Sequence, residues 1–191
     1  MALTPSTMLP LGTPLPAFSL VDCFGETRNS GDYLKGHGKE KCTPLLVAFI
    51  CNHCPYVKHL ADHFSQFARH YSKFGLQVIA INSNDYRAHP ADSPEKMRDE
   101  VALRDYTFPY LVDDTQLVAR AFEAVCTPDF FLFDRQGKLA YRGQYDDSRP
   151  GNNIPVSGRD MRAACDAVLA NTDPAPQQSA SIGCNIKWRA D

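Results

Sequence analysis

Hydrophobic positions along the chain change period several times, and each change marks an element. Pro44 to Ile50 is a continuous apolar run of the length and β-branched or aromatic content of a buried strand. Val57, Leu60, Ala61, Phe64, Phe67, Ala68 and Tyr71 follow in steps of three and four, one face of an amphipathic helix. Gly75 ends that helix, and Leu76 to Asn82 is the next strand. Strand, helix and strand at this spacing predict a right-handed βαβ unit with parallel strands.

Before this unit, residues 1–14 read as an irregular or extended arm. Pro16 to Val21 alternates like a strand, Cys23 to Glu26 turns, and Thr27 to Ser30 returns as a hairpin partner. A short helical turn is expected over Asp32 to Gly36, then a loop to Lys41. After the unit comes a polar loop from Asn82, then a helix over Pro94 to Arg104 and a strand over Phe108 to Val112. Asp113-Asp114-Thr115 is expected to cap a third helix, about Gln116 to Phe122. Val125 to Asp134 is the next strand region, and Arg135 to Lys138 turns into a strand over Leu139 to Gly143. Ser157 is expected to cap a last helix, Gly158 to Leu169. A single domain over 1–170 is therefore predicted. Residues 171–191 are predicted to form a Pro- and Gln-rich linker and an apolar tail, Ile182 to Trp188, docked on the domain.

Chemistry concentrates where the central strand becomes the long helix. Ile50-Cys51-Asn52-His53-Cys54-Pro55 places two cysteines there, with Pro55 in the first helical turn, where its missing N–H costs nothing. Free N–H groups and the helix dipole favour an anion at this place, and the thiolate is the reactive form of cysteine. Cys51, the outer thiol, is the expected nucleophile. Cys54 is expected to close a disulfide with it, and a protonated His53 would further stabilise the thiolate. Proline at the start of a strand that should be central is unusual, and Thr127-Pro128 fits if the peptide is cis.

Composition narrows the classes. The chain has 191 residues, 43% of them hydrophobic, and a formal charge of −2. That suits a globular domain with a sizeable core and gives no electrostatic reason to expect nucleic acid. No apolar run approaches the roughly 20 residues that span a bilayer. The N-terminus lacks a basic start and is broken by prolines, a poor secretory signal, so a cytoplasmic location is expected unless a leader has been removed. Seven cysteines, at 23, 42, 51, 54, 126, 165 and 184, are an odd number for a secreted disulfide framework. Cys165 falls on the apolar side of the last helix, and Cys23 and Cys42 carry no motif.

Cys51-x-x-Cys54 between strand and helix, followed by Thr127-Pro128 before a strand pair, resembles the thioredoxin fold. The inserted strand and helix, and the opening Leu11 to Leu20, are similar to the branch shared by peroxiredoxins and the membrane-tethered thiol reductases of cytochrome maturation. The resemblance covers about residues 10 to 170. It implies an α/β thioredoxin-like fold, with a central mixed sheet flanked by helices, an N-terminal hairpin and an inserted strand and helix. It also implies that Cys51 attacks a disulfide, that Cys54 resolves the mixed disulfide, and that cis-Pro128 lies against the pair. The Thr127 backbone would pair with an incoming extended chain. The sequence departs from the family at Ile50, where a tryptophan is usual, and at Leu45, where thioredoxin keeps a buried acid. His53 holds the place that histidine has in disulfide isomerases and oxidising periplasmic enzymes. Cys126 abuts Thr127, either as an auxiliary thiol near Cys51 or as a small buried residue.

Three functions follow. The first is a thiol–disulfide oxidoreductase acting on a protein or small-molecule disulfide, with a thiol electron donor and no cofactor, metal or membrane partner. The second is a thiol peroxidase reducing peroxides, although the peroxiredoxin signature would need proline at Val47 and threonine at Cys51. The third is a non-enzymatic Cu(I) or Zn²⁺ site built from Cys51, Cys54 and His53, His59 or His63. Cys184, after a flexible linker, is either a further resolving thiol or incidental to a docked tail.

Overall fold

A computed structural model of the protein describes residues 3–34 and 43–190. Cys42 and the glycine at 36 lie outside them. In chain order the elements are β1 (Leu3–Pro5), β2 (Ser19–Asp22), β3 (Thr27–Asn29), α1 (Ser30–Tyr33), β4 (Leu45–Phe49) and α2 (Pro55–Ser72). There follow β5 (Gln77–Asn82), a 3₁₀ turn (Pro90–Asp92), α3 (Pro94–Arg104), β6 (Tyr110–Val112) and α4 (Leu117–Ala121). The chain ends with β7 (Cys126–Thr127), β8 (Asp129–Phe133), β9 (Leu139–Gly143), α5 (Arg159–Leu169) and β10 (Ile182–Asn185).

Seven strands form one mixed sheet in the order β3-β2-β6-β5-β4-β8-β9. β4 pairs in parallel with β5, β5 in parallel with β6, and β8 runs antiparallel to β4. This is the thioredoxin-like arrangement, with the N-terminal hairpin β2–β3 joined to the sheet through β6. β4 is apolar throughout because both of its faces are covered. Leu46, Ala48 and Ile50 pack on the side of α2 and α5, while Leu45, Val47 and Phe49 pack on the side of α4. β8 alternates in the same way, with Phe130 and Leu132 on the first side and Phe131 and Phe133 on the second.

The structure refines three sequence expectations. The arm, expected to be irregular or extended, is extended at β1, which pairs antiparallel with β10, so the first and last described strands are neighbours. The third helix begins at Leu117 behind Gln116, whose φ of 62° is left-handed, and the Asp113 carboxylate, further back, accepts from the N–H of Ala119 at 2.9 Å. Gly158, not Ser157, is the N-cap of α5, with a φ of 63°. The Asp146 carboxylate accepts from the N–H of Ser157 and of Gly158, at 2.7 and 2.6 Å, while Ser157 Oγ still accepts from the N–H of Arg159 at 3.3 Å. No helix among the described residues is long and apolar enough to cross a membrane.

Candidate active site

The C-terminal end of β4 delivers Ile50 and then Cys51, and α2 begins at Pro55 with Cys54 as its N-cap. Cys51 and Cys54 are both buried. Across from them runs β7, followed by the Thr127–Pro128 peptide, which is cis. Thr127 touches both sulfurs. Its Oγ1 lies 3.3 Å from Cys51 Sγ, and its carbonyl oxygen lies 3.2 Å from Cys54 Sγ.

The two thiols are not equivalent. The Cys51 thiol donates to Cys54, which together with burial pushes Cys51 well up. Cys54 is pushed down to about 5 by that same hydrogen bond, against the cost of burial, with help from the Cys184 thiol and the backbone N–H groups of Val57 and Cys184. The charge-stabilising contacts thus converge on Cys54, not on the expected nucleophile Cys51. The physical reason is position: Cys54 is the N-cap, at the positive end of the α2 dipole, and its sulfur lies between Thr127 and Cys184.

A polar cluster that sequence reasoning missed supports the loop between the cysteines. Asp92 is buried on the 3₁₀ turn and accepts from the backbone N–H of Asn52 at 2.8 Å, from Asn84 Nδ2 at 2.8 Å and from His53 Nδ1 at 2.7 Å. Burial raises the Asp92 carboxyl, but the hydrogen bonds from His53 and Asn84 outweigh it and hold it below the usual carboxylate range. The same bond raises His53. Tyr110 Oη donates to Asn52 Oδ1 at 3.1 Å. Asp92 sits in a polar loop, where neither periodicity nor spacing marks it.

Cys51, His53 and Asp92 bring one donor atom each within 4.8 Å of one another, the one such group of three or more His, Cys, Asp or Glu among the described residues. His53 Nδ1 is already occupied by Asp92. His59 and His63, offered by the sequence as further ligands, turn instead to Ser148 Oγ and Tyr145 Oη, each at 2.7 Å. Cys126 is buried with its sulfur 3.8 Å from the Pro128 carbonyl, and burial pushes its thiol up.

The backbone edge beside Pro128, expected to receive an extended partner, is occupied by the chain itself. β10 pairs antiparallel with β7, placing Cys184 opposite Thr127 and Asn185 opposite Cys126. Cys184 Sγ stands 2.9 Å from Cys54 Sγ.

Residues 11–142 match the AhpC/TSA family. The chain belongs to this family. A conserved protein of Geobacillus kaustophilus, known from a crystal structure, is 44% identical with a TM-score of 0.94, the alignment covering 100% of this chain and 98% of that one. A hypothetical protein of Sinorhizobium meliloti 1021 is 46% identical with a TM-score of 0.93, over 98% of this AhpC/TSA chain and 100% of the other. A relative named thiol-disulfide oxidoreductase ResA, from Geobacillus kaustophilus strain HTA426, is 26% identical over 71% of this chain and 70% of its own length.

Proposed function

We infer that the protein is a thiol–disulfide oxidoreductase whose redox pair is Cys51 and Cys54. The observation that carries this reading is the meeting of two buried cysteines where β4 becomes α2, with Cys54 at the N-cap and both sulfurs in contact with Thr127 beside cis-Pro128. A thiolate held in this way is present at neutral pH and attacks a disulfide sulfur. Its attack forms a mixed disulfide on Cys54 and releases one substrate thiolate. Cys51 then gives up its proton and attacks Cys54, which releases the second substrate thiol and closes the Cys51–Cys54 disulfide. A dithiol donor restores the pair by the same exchange in reverse. Thr127, in contact with both sulfurs, positions them for the exchange. The hydrogen bond to Asp92 raises His53 and so favours a positive charge beside the pair. The likeness to a relative named thiol-disulfide oxidoreductase supports the activity, and an odd set of seven cysteines suits a reducing compartment such as the cytoplasm.

Titration against glutathione redox buffers, read by alkylation and mass spectrometry, tests this. A reversible two-electron couple that includes a Cys51–Cys54 disulfide and disappears in Cys54→Ser is expected. Failure to form that disulfide at any poise would overturn the reading. A second reading, peroxide reduction, is favoured by membership of the AhpC/TSA family. It would replace the first if peroxide put sulfenic acid on Cys54 and was consumed rapidly while no disulfide substrate was turned over.

A further inference from the structure

The tail strand β10 lies where a substrate chain should lie. It pairs with β7 at Cys126 and Thr127, the edge beside Pro128 that the thioredoxin-like fold presents to an extended partner. Its approach is close enough to exclude a side chain at one position: a Cβ on Gly183 would run into the carbonyl of Thr127 and meet Pro128 Cδ at 3.1 Å. Glycine is therefore required there by proximity, since its backbone angles are ordinary. The strand is anchored on every side. β1 pairs with its outer edge. The Ile186 N–H donates to the Val125 carbonyl at 2.9 Å, and the Lys187 N–H donates to Asn84 Oδ1 at 2.8 Å. Asn84 in turn holds Asp92, so the tail and the His53 cluster form one hydrogen-bonded body. The residue this strand presents to Cys54 is a cysteine, with the two sulfurs 2.9 Å apart.

We propose that Cys184 is a third redox thiol, carried on a strand that takes the place of a substrate peptide, and that it exchanges disulfides with Cys54. This rests on the Cys51–Cys54 pair proposed above. Starting from the Cys51–Cys54 disulfide, the Cys184 thiol loses its proton and its sulfur attacks Cys54 Sγ. The Cys54–Cys184 bond forms, the Cys51–Cys54 bond breaks, and Cys51 leaves as a thiolate that takes up the proton. One disulfide is present before and one after, so no further oxidant or reductant is involved. Cys54 is the hub of both bonds. The exchange moves the oxidation onto the tail, fastens β10 over the site and restores Cys51 as a thiol.

The substrate class follows from the same geometry. A competing partner is an extended cysteinyl peptide that pairs antiparallel at residues 126–127, with its cysteine in the place of Cys184 and a glycine just before it. Such a partner must displace β10.

The test uses the full chain, oxidised in a glutathione redox buffer, quenched with acid, alkylated and mapped by peptide mass spectrometry without reduction. Wild type is expected to contain both Cys51–Cys54 and Cys54–Cys184 linked peptides. Cys51→Ser is expected to keep only the Cys54–Cys184 link, and Cys184→Ser only the Cys51–Cys54 link. In Gly183→Ala, which expels the strand without touching a sulfur, the Cys54–Cys184 link should fall at least tenfold while Cys51–Cys54 persists. A Cys51→Ser protein that carries only glutathione on Cys54, with wild type showing only Cys51–Cys54, would overturn the third thiol and leave the pair standing. Absence of the Cys51–Cys54 link from Cys184→Ser would instead overturn the pair.

Discussion

Cys54 and Cys165 are equally deep, each 0% exposed, and chemically opposite. Cys165 lies on the inward face of α5 among Met161, Ala164 and Val168, and burial, with the charge of Asp166 beside it, pushes its thiol up. Cys54 bears a burial cost as well, yet its thiol is pushed down to about 5, because hydrogen-bond donors face the sulfur. Depth by itself silences a cysteine. Depth combined with a helix start and neighbouring thiols makes a thiolate that is shielded from water and still charged.

Removing each sulfur in turn is the strongest way to break the comparison. Cys54→Ser should lower thiol–disulfide exchange at least about a thousandfold, the scale on which loss of a nucleophile is felt. Cys165→Ala should leave exchange within about twofold and cost about 1 kcal/mol of stability for the lost packing. Steady-state turnover of a fluorescent disulfide and urea denaturation measure the two effects. Equal losses of exchange would abolish the distinction.

Titration sharpens the comparison. Thiolate absorbance near 240 nm in the reduced protein should show one step near pH 5 that Cys54→Ser lacks and Cys165→Ala retains. The sign for stability follows. The Cys54 thiol is depressed in the folded state, so its contribution is fully present above the unfolded value of 9.0 and is lost as pH falls through about 5. Reduced wild type should therefore gain stability over Cys54→Ser between about pH 5 and 9, and a flat difference across that range would refute the shift.

The smallest effect concerns the support beneath the loop. The raised His53 contributes stability that is fully present below its ordinary 6.5 and is lost as pH rises through its folded value. The depressed Asp92 contributes stability present above 3.8 and lost as pH falls through its own folded value. Asp92→Asn should therefore cost most between those values, about 2 kcal/mol for a charged hydrogen bond lost, and less at pH 8. The His53 ring signal in NMR should titrate at lower pH in the variant. An unmoved signal would separate His53 from Asp92.

The part of the site built from neighbours in sequence was legible without coordinates. Apolar residues at steps of three and four, with Pro55 at the helix start, fix α2, and the run before it fixes β4, so Cys51 and Cys54 could be placed at their junction. Contacts closed across long stretches of chain were not legible. β10 is four residues of Ile-Gly-Cys-Asn with no alternation, and its pairing with β7 is set by a glycine-sized gap and by anchors from distant elements. The assignment of the thiolate to Cys54 depends on which sulfur meets Cys184 and Thr127 across the fold, which spacing alone leaves undecided. Left-handed backbone at Gln116 and Gly158 sets each helix start one residue later, while Asp113 and Ser157, both expected as caps, accept from the N–H groups of Ala119 and Arg159.

The β1–β10–β7 sheet connects Leu3–Pro5 to the sulfurs in mechanical series. Leu3, Thr4 and Pro5 flank the outside of the strand whose inside edge meets Thr127. Just beyond them the Ser6 N–H donates to the Ser181 carbonyl at 2.9 Å, and its hydroxyl donates to buried Asp129 at 3.1 Å. Slack introduced at Leu3–Pro5 would reach Cys184 through a single strand pairing.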